Sequence, residues 1–538
     1  MPKLQTNGAK QKRTTYMILL LWAAVCLALL VVDWCCWAPN RLDADMASEQ
    51  LLANLLAQEG GVMSTNWYYS TELRVLNTQL VMAPLFRLFT SWHTVRVVGS
   101  VVLILLYLAA WFWFGRSAKL KYSGLLGAGL LVLPYGALYR QYVLEGLYYI
   151  PHIAISFVVL GCAVRILRGR RRLAPAAGMV LFSFAAALGG PRQLFILNIP
   201  LTVAAALLCW LDAPPADTLR QKLANAWRTP GGALLVPTLA ADAAALAGYL
   251  VNAKVLAEKY HFQDQGYVAF TGLNLDRLQW FANALLASFG WQEGKVFSLA
   301  ALFNLAAAAL ILFCFVFSVR LVRGKARYPL GHRLVGAFFL AGAVCFALLY
   351  GLTNSGHSDR YLLPLAILFV PLLEIMLADC TPRHRPDARG LTALLAAILL
   401  LRAGTDYRAA AVAANPNQGA AQFLVQNGYR DGYASFWDGN VMTELTDGTL
   451  NVWTLTPNSV PELRPWLQVT SHLQTPPQGK IFFVISKWEA YGERQPTTQA
   501  LADAMPEDAL IYADETVKIY GFASDEAMRQ ACVFAAFP

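Results

Sequence analysis

Residues 17–37 read MILLLWAAVCLALLVVDWCCW and follow Lys3, Lys10, Lys12 and Arg13. At 1.5 Å per residue such a run crosses a hydrocarbon core of about 30 Å. It is too long for a removable signal peptide and lacks a small-residue cleavage site, so it reads as a retained anchor. Ten further apolar runs follow at about 95–115, 123–139, 143–164, 174–190, 194–211, 233–251, 296–319, 334–353, 361–379 and 391–402. With the first they predict a polytopic all-α membrane protein of about 11 transmembrane helices, carrying a large first external loop and a C-terminal α/β soluble domain.

Composition agrees. Of 538 residues, 57% are hydrophobic and 14% charged, against a globular norm of about 25% charged. Mean hydropathy is +0.44. An ordinary soluble enzyme and a disordered chain are excluded. Nine Cys scattered over the chain form neither a disulfide framework nor a metal spacing. From residue 403 onward there are 8 Lys and Arg against 15 Asp and Glu, so residues 1–402 hold 35 against 18, a net of +17. Those cations lie in breaks between apolar runs: 116–122, 165–172, 212–230, 320–333 and 380–389. Such a pattern orients a chain in a membrane and marks these breaks, with the basic N-terminus, as cytoplasmic. It is not a nucleic-acid patch, and no nucleic-acid partner is expected.

Residues 1–402 therefore form the membrane domain, with 38–94 and 252–295 as external loops, and 403–538 form an extracytoplasmic domain. The last apolar run, 391–402, is short for a span; were it not one, the tail would be cytoplasmic. In the tail, Gln418–Gln426 is helix-like and stops before Gly428, while 433–437, 450–455, 480–486 and 510–522 are strand-like, the last broken at Asp514. No Asn-x-Ser/Thr acceptor occurs in the external segments, which fits a bacterial plasma membrane.

Chemistry-bearing residues concentrate at external edges. Asp43, Asp45 and Glu49 open an amphipathic stretch that Gly60 ends. Asp45 and Glu49, four apart, share a helix face despite like-charge repulsion, and paired acids suit proton removal from a hydroxyl. Alternatively Asp43 is an N-cap, Asp45 complements the helix dipole and Glu49 is solvated. Tyr69 lies in an aromatic cluster that serves either sugar stacking or an interfacial belt. Arg140, Arg192, His357 and Arg360 are cations on the side that the topology bias leaves poor in them, where Arg can grip phosphate bidentately. Within or beside spans stand Glu145, His152 and Asp242; intramembrane carboxyls are functional candidates by default.

The order of these residues resembles membrane glycosyltransferases of the C-type fold, the group that includes protein O-mannosyltransferases and the lipid A aminoarabinose transferase. Asp45, Ala53 and Gly60 fit that group's acidic first-loop helix. Met46 stands at the second acidic position and Glu49 at the aromatic one, so either Asp43 or Glu49 is left as helper carboxylate. Residues 357–364, with Arg360, Tyr361 and Pro364, resemble its late loop.

The resemblance implies transfer of a hexose or pentose from a polyprenyl-phosphate-linked donor to a glycan, lipid or protein acceptor on the outer face, beside membrane lipids. Asp45 would be the general base of an inverting reaction. Arg192 and Arg360, with His357 and Arg140 behind them, would stabilise the leaving phosphate, and Glu145 and His152 would orient donor or acceptor. No cofactor follows, and divalent metal dependence is left open. Two rivals are a transporter or flippase of lipid-linked glycans, with Asp242 and Glu145 as coupling groups, and a glycan polymerase or ligase.

Overall fold

The computed structural model describes residues 2–71, 73, 75–120, 124–169, 172–262, 268–355, 358–379, 385–456, 461–487 and 501–531. Among them nine helices are long and apolar enough to cross a membrane. These mark a multi-pass membrane protein. The weakest run of the sequence, 391–402, lies inside a 28-residue helix, Arg385–Val412; its Ala-rich composition carries the helix past Arg402 and Asp406, where the apolar pattern ends.

Two of the eleven expected spans differ. Run 123–139 contains Pro134 and Gly136 and is broken there, leaving a seven-residue helix, Leu125–Leu131, and a short turn at Ala137–Tyr139. Run 174–190 forms the 15-residue helix Leu173–Ala187 and stops before Gly190, whose φ of +117° ends it.

The chain divides into two compact units that are discontinuous in sequence: 1–32, 103–253 and 266–406 in the first, 33–102, 254–265 and 407–538 in the second. In the first unit, helix ends meet as the alternation of breaks requires. His332 contacts Asp379 Oδ2 at 2.6 Å and the Ala118 carbonyl at 2.9 Å. Arg333 donates to both carboxylate oxygens of Asp212 at 2.8 and 2.9 Å and to the Val322 carbonyl at 3.1 Å. Four of the basic breaks thus adjoin one end of the helix bundle.

The second unit is an α/β fold. Its strands are β1 (Trp67–Tyr68), β2 (Asp431–Ser435), β3 (Asn451–Leu455), β4 (Gln468–Val469), β5 (Ile481–Ser486), β6 (Leu510–Ala513) and β7 (Val517–Phe522). Five form a mixed sheet in the order β3-β2-β5-β7-β6, parallel at β3/β2/β5 and antiparallel at β5/β7/β6. Side chains alternate across it. Phe482, Val484 and Ile519 face one core, with Leu424 and Met442 from two helices, whereas Tyr433, Phe483 and Tyr520 face the other, with Met528 from a third. Burial on both faces explains why β5 reads as an unbroken apolar run.

The strand expected at 433–437 ends at Ser435. Ser435 caps the helix Phe436–Leu445, accepting from the Asp438 amide at 3.4 Å and donating to its carboxylate at 2.7 Å. That helix holds the segment that follows the first span. Asn440 donates to the buried Ser48 hydroxyl at 2.8 Å. Arg96 donates from Nε and Nη2 to Glu444 at 2.6 Å each, and from Nη2 to the Met46 carbonyl at 2.9 Å. β1 pairs antiparallel with β4, and Asn415 reaches the carbonyls of Pro39 and Leu42 at 3.2 and 3.1 Å.

Removing one partner of a buried ion pair strands the other, at a cost of about 3–5 kcal/mol. Glu444→Gln is therefore expected to lower the unfolding free energy of the second unit by about that amount, and Ser48→Ala by about 1 kcal/mol, both read by denaturant unfolding of the purified full chain. Equal stability of Glu444→Gln and wild type would contradict the pairing.

Candidate functional site

The acids of the first loop take separate roles in the second unit. Asp43 is the N-cap of helix Ala44–Glu59 and accepts from the Met46 amide at 2.8 Å; Gly60 closes the helix in a left-handed conformation, φ +84°. Glu49 accepts from the Thr78 hydroxyl and from Asn77 Nδ2 at 3.5 Å. Asp45 lies half-buried in the first turn, beside Met46, whose carbonyl Arg96 holds. Asp43 thus follows the structural alternative given for it, and Glu49 is engaged by neutral donors.

Tyr69 is buried. Its hydroxyl accepts from the Ser64 amide at 2.9 Å and its ring meets Tyr260 edge-on at 6.2 Å. Burial pushes its phenol well above the usual range.

The same unit encloses a cavity of about 170 Å³ between the face of helix Ala44–Glu59 that bears Asn54 and Gln58 and the tail strands. Trp67, Trp92, Asn451 and His472 help to line it, and none of its described lining residues is acidic or carries Lys or Arg. Trp67, 1% exposed, has an indole N–H with no hydrogen-bond partner, a donor that a bound hydroxyl or water satisfies. His472 stacks on Trp453 at 4.0 Å and contacts Asn451 Oδ1 at 3.0 Å. Burial pushes its pKa down to about 3, so the ring is neutral near pH 7. The cleft therefore suits an uncharged, hydroxyl-rich ligand.

In the first unit the expected cations gather on tyrosines. Two π-helical stretches, Arg140–Glu145 and Leu194–Asn198, flank the place; such bulges recur at functional sites. Between the first and helix Ile150–Leu167, Leu147 is held at φ +64°, a left-handed conformation costing about 1–2 kcal/mol. This turn presents Tyr148 and Tyr149. The Arg192 guanidinium lies 5.4 Å from the Tyr149 ring and 4.9 Å from that of Tyr361; Arg360 lies 5.0 Å from Tyr142. Tyr142 packs edge-on to Tyr148 at 5.6 Å and Tyr149 at 6.0 Å, so one aromatic cluster joins both arginines. Stacked guanidiniums keep their in-plane N–H groups for an anion.

His152 meets Tyr149 at 6.0 Å and contacts Gln193 Oε1 at 3.1 Å. Arg140 lies between Glu145 Oε1, at 3.6 Å, and Asp406 Oδ2, at 3.9 Å, so its charge is already compensated. His357 lies outside the described residues. Asp242 accepts from the Thr202 hydroxyl at 2.7 Å within its helix bundle.

The structure thus brings Arg192, Arg360 and His152 together and pairs Arg140 with Glu145. It adds residues to which sequence reasoning gave no role of their own: Tyr142 and Gln193 beside the arginines, and Trp92 and His472 in the cleft. The signal for the first group was present, since each Arg has a Tyr or Gln within two positions: Tyr-Arg-Gln-Tyr at 139–142, Arg-Gln at 192–193 and Arg-Tyr at 360–361. Among the described residues, no group of three or more His, Cys, Asp or Glu is placed to hold a metal ion.

No protein-family model matches the chain, and no curated protein matches it. Among solved structures, it is similar to the crystal structure of the Archaeoglobus fulgidus oligosaccharyltransferase in complex with zinc and sulfate, with 12% identity over 87% of this chain and 68% of that one and a TM-score of 0.47. It is also similar to the cryo-EM structure of arabinofuranosyltransferase AftD from Mycobacteria, with 14% identity over 97% of this chain and 42% of that one and a TM-score of 0.40.

Because His472 is neutral when folded and titrates near 6.5 when exposed, the unfolded chain takes up a proton that the folded chain refuses as pH falls from 6.5 toward 3. Stability of the second unit is expected to drop through that window, and the drop is expected to be smaller in His472→Gln, measured by thermal unfolding of the full chain followed by tryptophan fluorescence. Parallel pH curves for the two proteins would rule out a buried neutral imidazole.

Proposed function

We propose that the protein is a membrane glycosyltransferase that moves a sugar from a polyprenyl-phosphate-linked donor to an acceptor on the outer face of a bacterial plasma membrane. The observation that carries the reading is the convergence of Arg192 and Arg360 on one tyrosine cluster at the ends of apolar helices. Two guanidiniums with planar donor edges match a phosphate, and apolar helices give access to a lipid tail.

In this reading Asp45 accepts the proton of the acceptor hydroxyl as that oxygen forms its bond to the anomeric carbon. The bond from the anomeric carbon to the phosphate oxygen breaks on the opposite face, with inversion. The departing polyprenyl phosphate takes the electron pair, and Arg192 and Arg360 stabilise its growing charge. His152, steadied by Gln193, orients the donor. Arg140 and Glu145 hold the π-helical turn in place. The neutral cleft of the second unit holds part of a hydroxyl-rich acceptor.

Asp45→Asn is expected to reduce turnover about 10²- to 10⁴-fold with donor binding retained, assayed in proteoliposomes with polyprenyl-phosphate-linked hexose and pentose donors. Arg192→Gln with Arg360→Gln is expected to weaken binding of polyprenyl phosphate itself by at least about tenfold. Unchanged turnover in Asp45→Asn removes that residue from the mechanism. Movement of lipid-linked glycan that stops in Asp242→Asn, with no transfer from any donor, identifies a transporter instead.

Filling the cleft tests the acceptor side separately. Asn54→Trp is expected to raise KM for acceptor while leaving kcat and donor binding close to wild type, and an unchanged KM places the acceptor elsewhere.

A further inference from the structure

The first unit contains a second cationic place, at the opposite end of helix Ile150–Leu167 from Tyr149. A cavity of about 1040 Å³ is lined by Arg116 and Lys119, by Arg165 and Arg168, and by Ala174 and Pro175. Arg116 and Arg165 belong to the last turns of helices Trp92–Ala118 and Ile150–Leu167. Ala174 and Pro175 belong to the first turn of Leu173–Ala187, whose N-cap side chain makes no capping hydrogen bond. Cations in a last turn complement a helix dipole, and basic breaks orient a chain in a membrane. Neither role calls for a cavity.

Two observations point to a ligand. First, the cations face no carboxylate: none of the described lining residues is acidic, and none of the four forms an ion pair among the described residues. Second, Arg165 is pinned rather than waving in solvent. Its guanidinium lies 3.7 Å over the Trp113 ring and its Nε donates to the Ser117 hydroxyl at 2.8 Å. Burial, then the charge of Arg165, lowers the pKa of the Arg168 guanidinium. Like charges held together without a counter-charge gain from an anion placed between them.

We propose that this cavity binds the phosphodiester headgroup of an anionic phospholipid. Of the three helices whose ends line it, Trp92–Ala118 and Ile150–Leu167 are long and apolar enough to cross a membrane, which sets the cavity at headgroup level. Leu173, 88% exposed, opens the same helical turn and offers apolar surface to an acyl chain. Size favours a headgroup over a lone ion: at about 30 Å³ per water, the cavity is far larger than one phosphate requires. Each Lys or Arg near a lipid surface adds about 1 kcal/mol of attraction to anionic lipid, and here four act on one headgroup.

The test uses the full chain in nanodiscs of equimolar phosphatidylcholine and phosphatidylglycerol, released and read by native mass spectrometry. Phosphatidylglycerol adducts are expected to exceed phosphatidylcholine adducts by more than about tenfold. The ratio is expected to fall toward one in Arg165→Gln with Arg168→Gln, and again in Arg116→Gln with Lys119→Gln, a pair that leaves the Trp113 stack intact. Arg320→Gln with Arg323→Gln removes the same charge from another basic break and is expected to leave the ratio unchanged. Equal adducts of the two lipids in wild type overturn the proposal. So does an equal loss in the Arg320 and Arg323 control, or displacement of phosphatidylglycerol by stoichiometric inorganic phosphate, which marks a site for a free anion.

Discussion

A single guanidinium holds the acidic helix Ala44–Glu59 to the tail. Arg96 gives two hydrogen bonds to Glu444 and one to the Met46 carbonyl, all among buried side chains. Three helices that are remote in sequence therefore meet at one planar group. Taking both charges out of water is costly, and only near-ideal geometry with every donor satisfied offsets the cost. Such a contact tolerates little displacement. Because the third hydrogen bond ends on Met46, the neighbour of Asp45, the same group that joins tail to loop also fixes the turn that carries the acid.

The other unit solves a different problem, holding two cations against one aromatic cluster. Its means are aromatic faces. Tyr142, Tyr149 and Tyr361 give Arg192 and Arg360 a quadrupole attraction. Backbone irregularity makes room for this. The π turns at Arg140–Glu145 and Leu194–Asn198 and the left-handed Leu147 break the regular helical repeat, so aromatic rings that it would spread around a helix face one another. Arg140, compensated by Glu145 and Asp406, is the cation of the group that serves the scaffold.

Much of this was legible before any coordinates. Long apolar runs read directly as helices because lipid leaves a backbone no other partner, and Gly60 announced the end of the Asp45 helix. Short runs of aliphatic and aromatic residues at β5 and β7 mark strands of the tail. Elements decided by local breaks or by remote contacts were harder. Pro134 and Gly136 divide an apolar run whose hydropathy alone looks continuous. Ser435 turns a strand-like stretch into a helix through a cap that one residue determines. Apolar pattern alone puts Ala44–Glu59 and Phe436–Leu445 in separate domains, yet they pack in one unit; the residues that join them, Ser48 and Asn440, are ordinary polar positions in their own helices. The sequence offers Arg192 and Arg360 as candidates but not the rings they stack on, since tyrosines at a membrane edge have a commoner use as interfacial anchors.

Arg96 and Glu444 are separated by 348 positions. At translation rates of about 5–20 residues per second, roughly 20–70 s pass between synthesis of one and synthesis of the other. Throughout that interval the loop is already made while its partner helix does not yet exist. A nascent chain can insert its membrane helices one after another, but the Asp45 turn gains its ionic anchor only after Glu444 has left the ribosome. Completion of the polypeptide thus acts as a timer on assembly of the acidic turn, and a chain terminated before the tail carries Asp45 on a helix that lacks the Glu444 anchor.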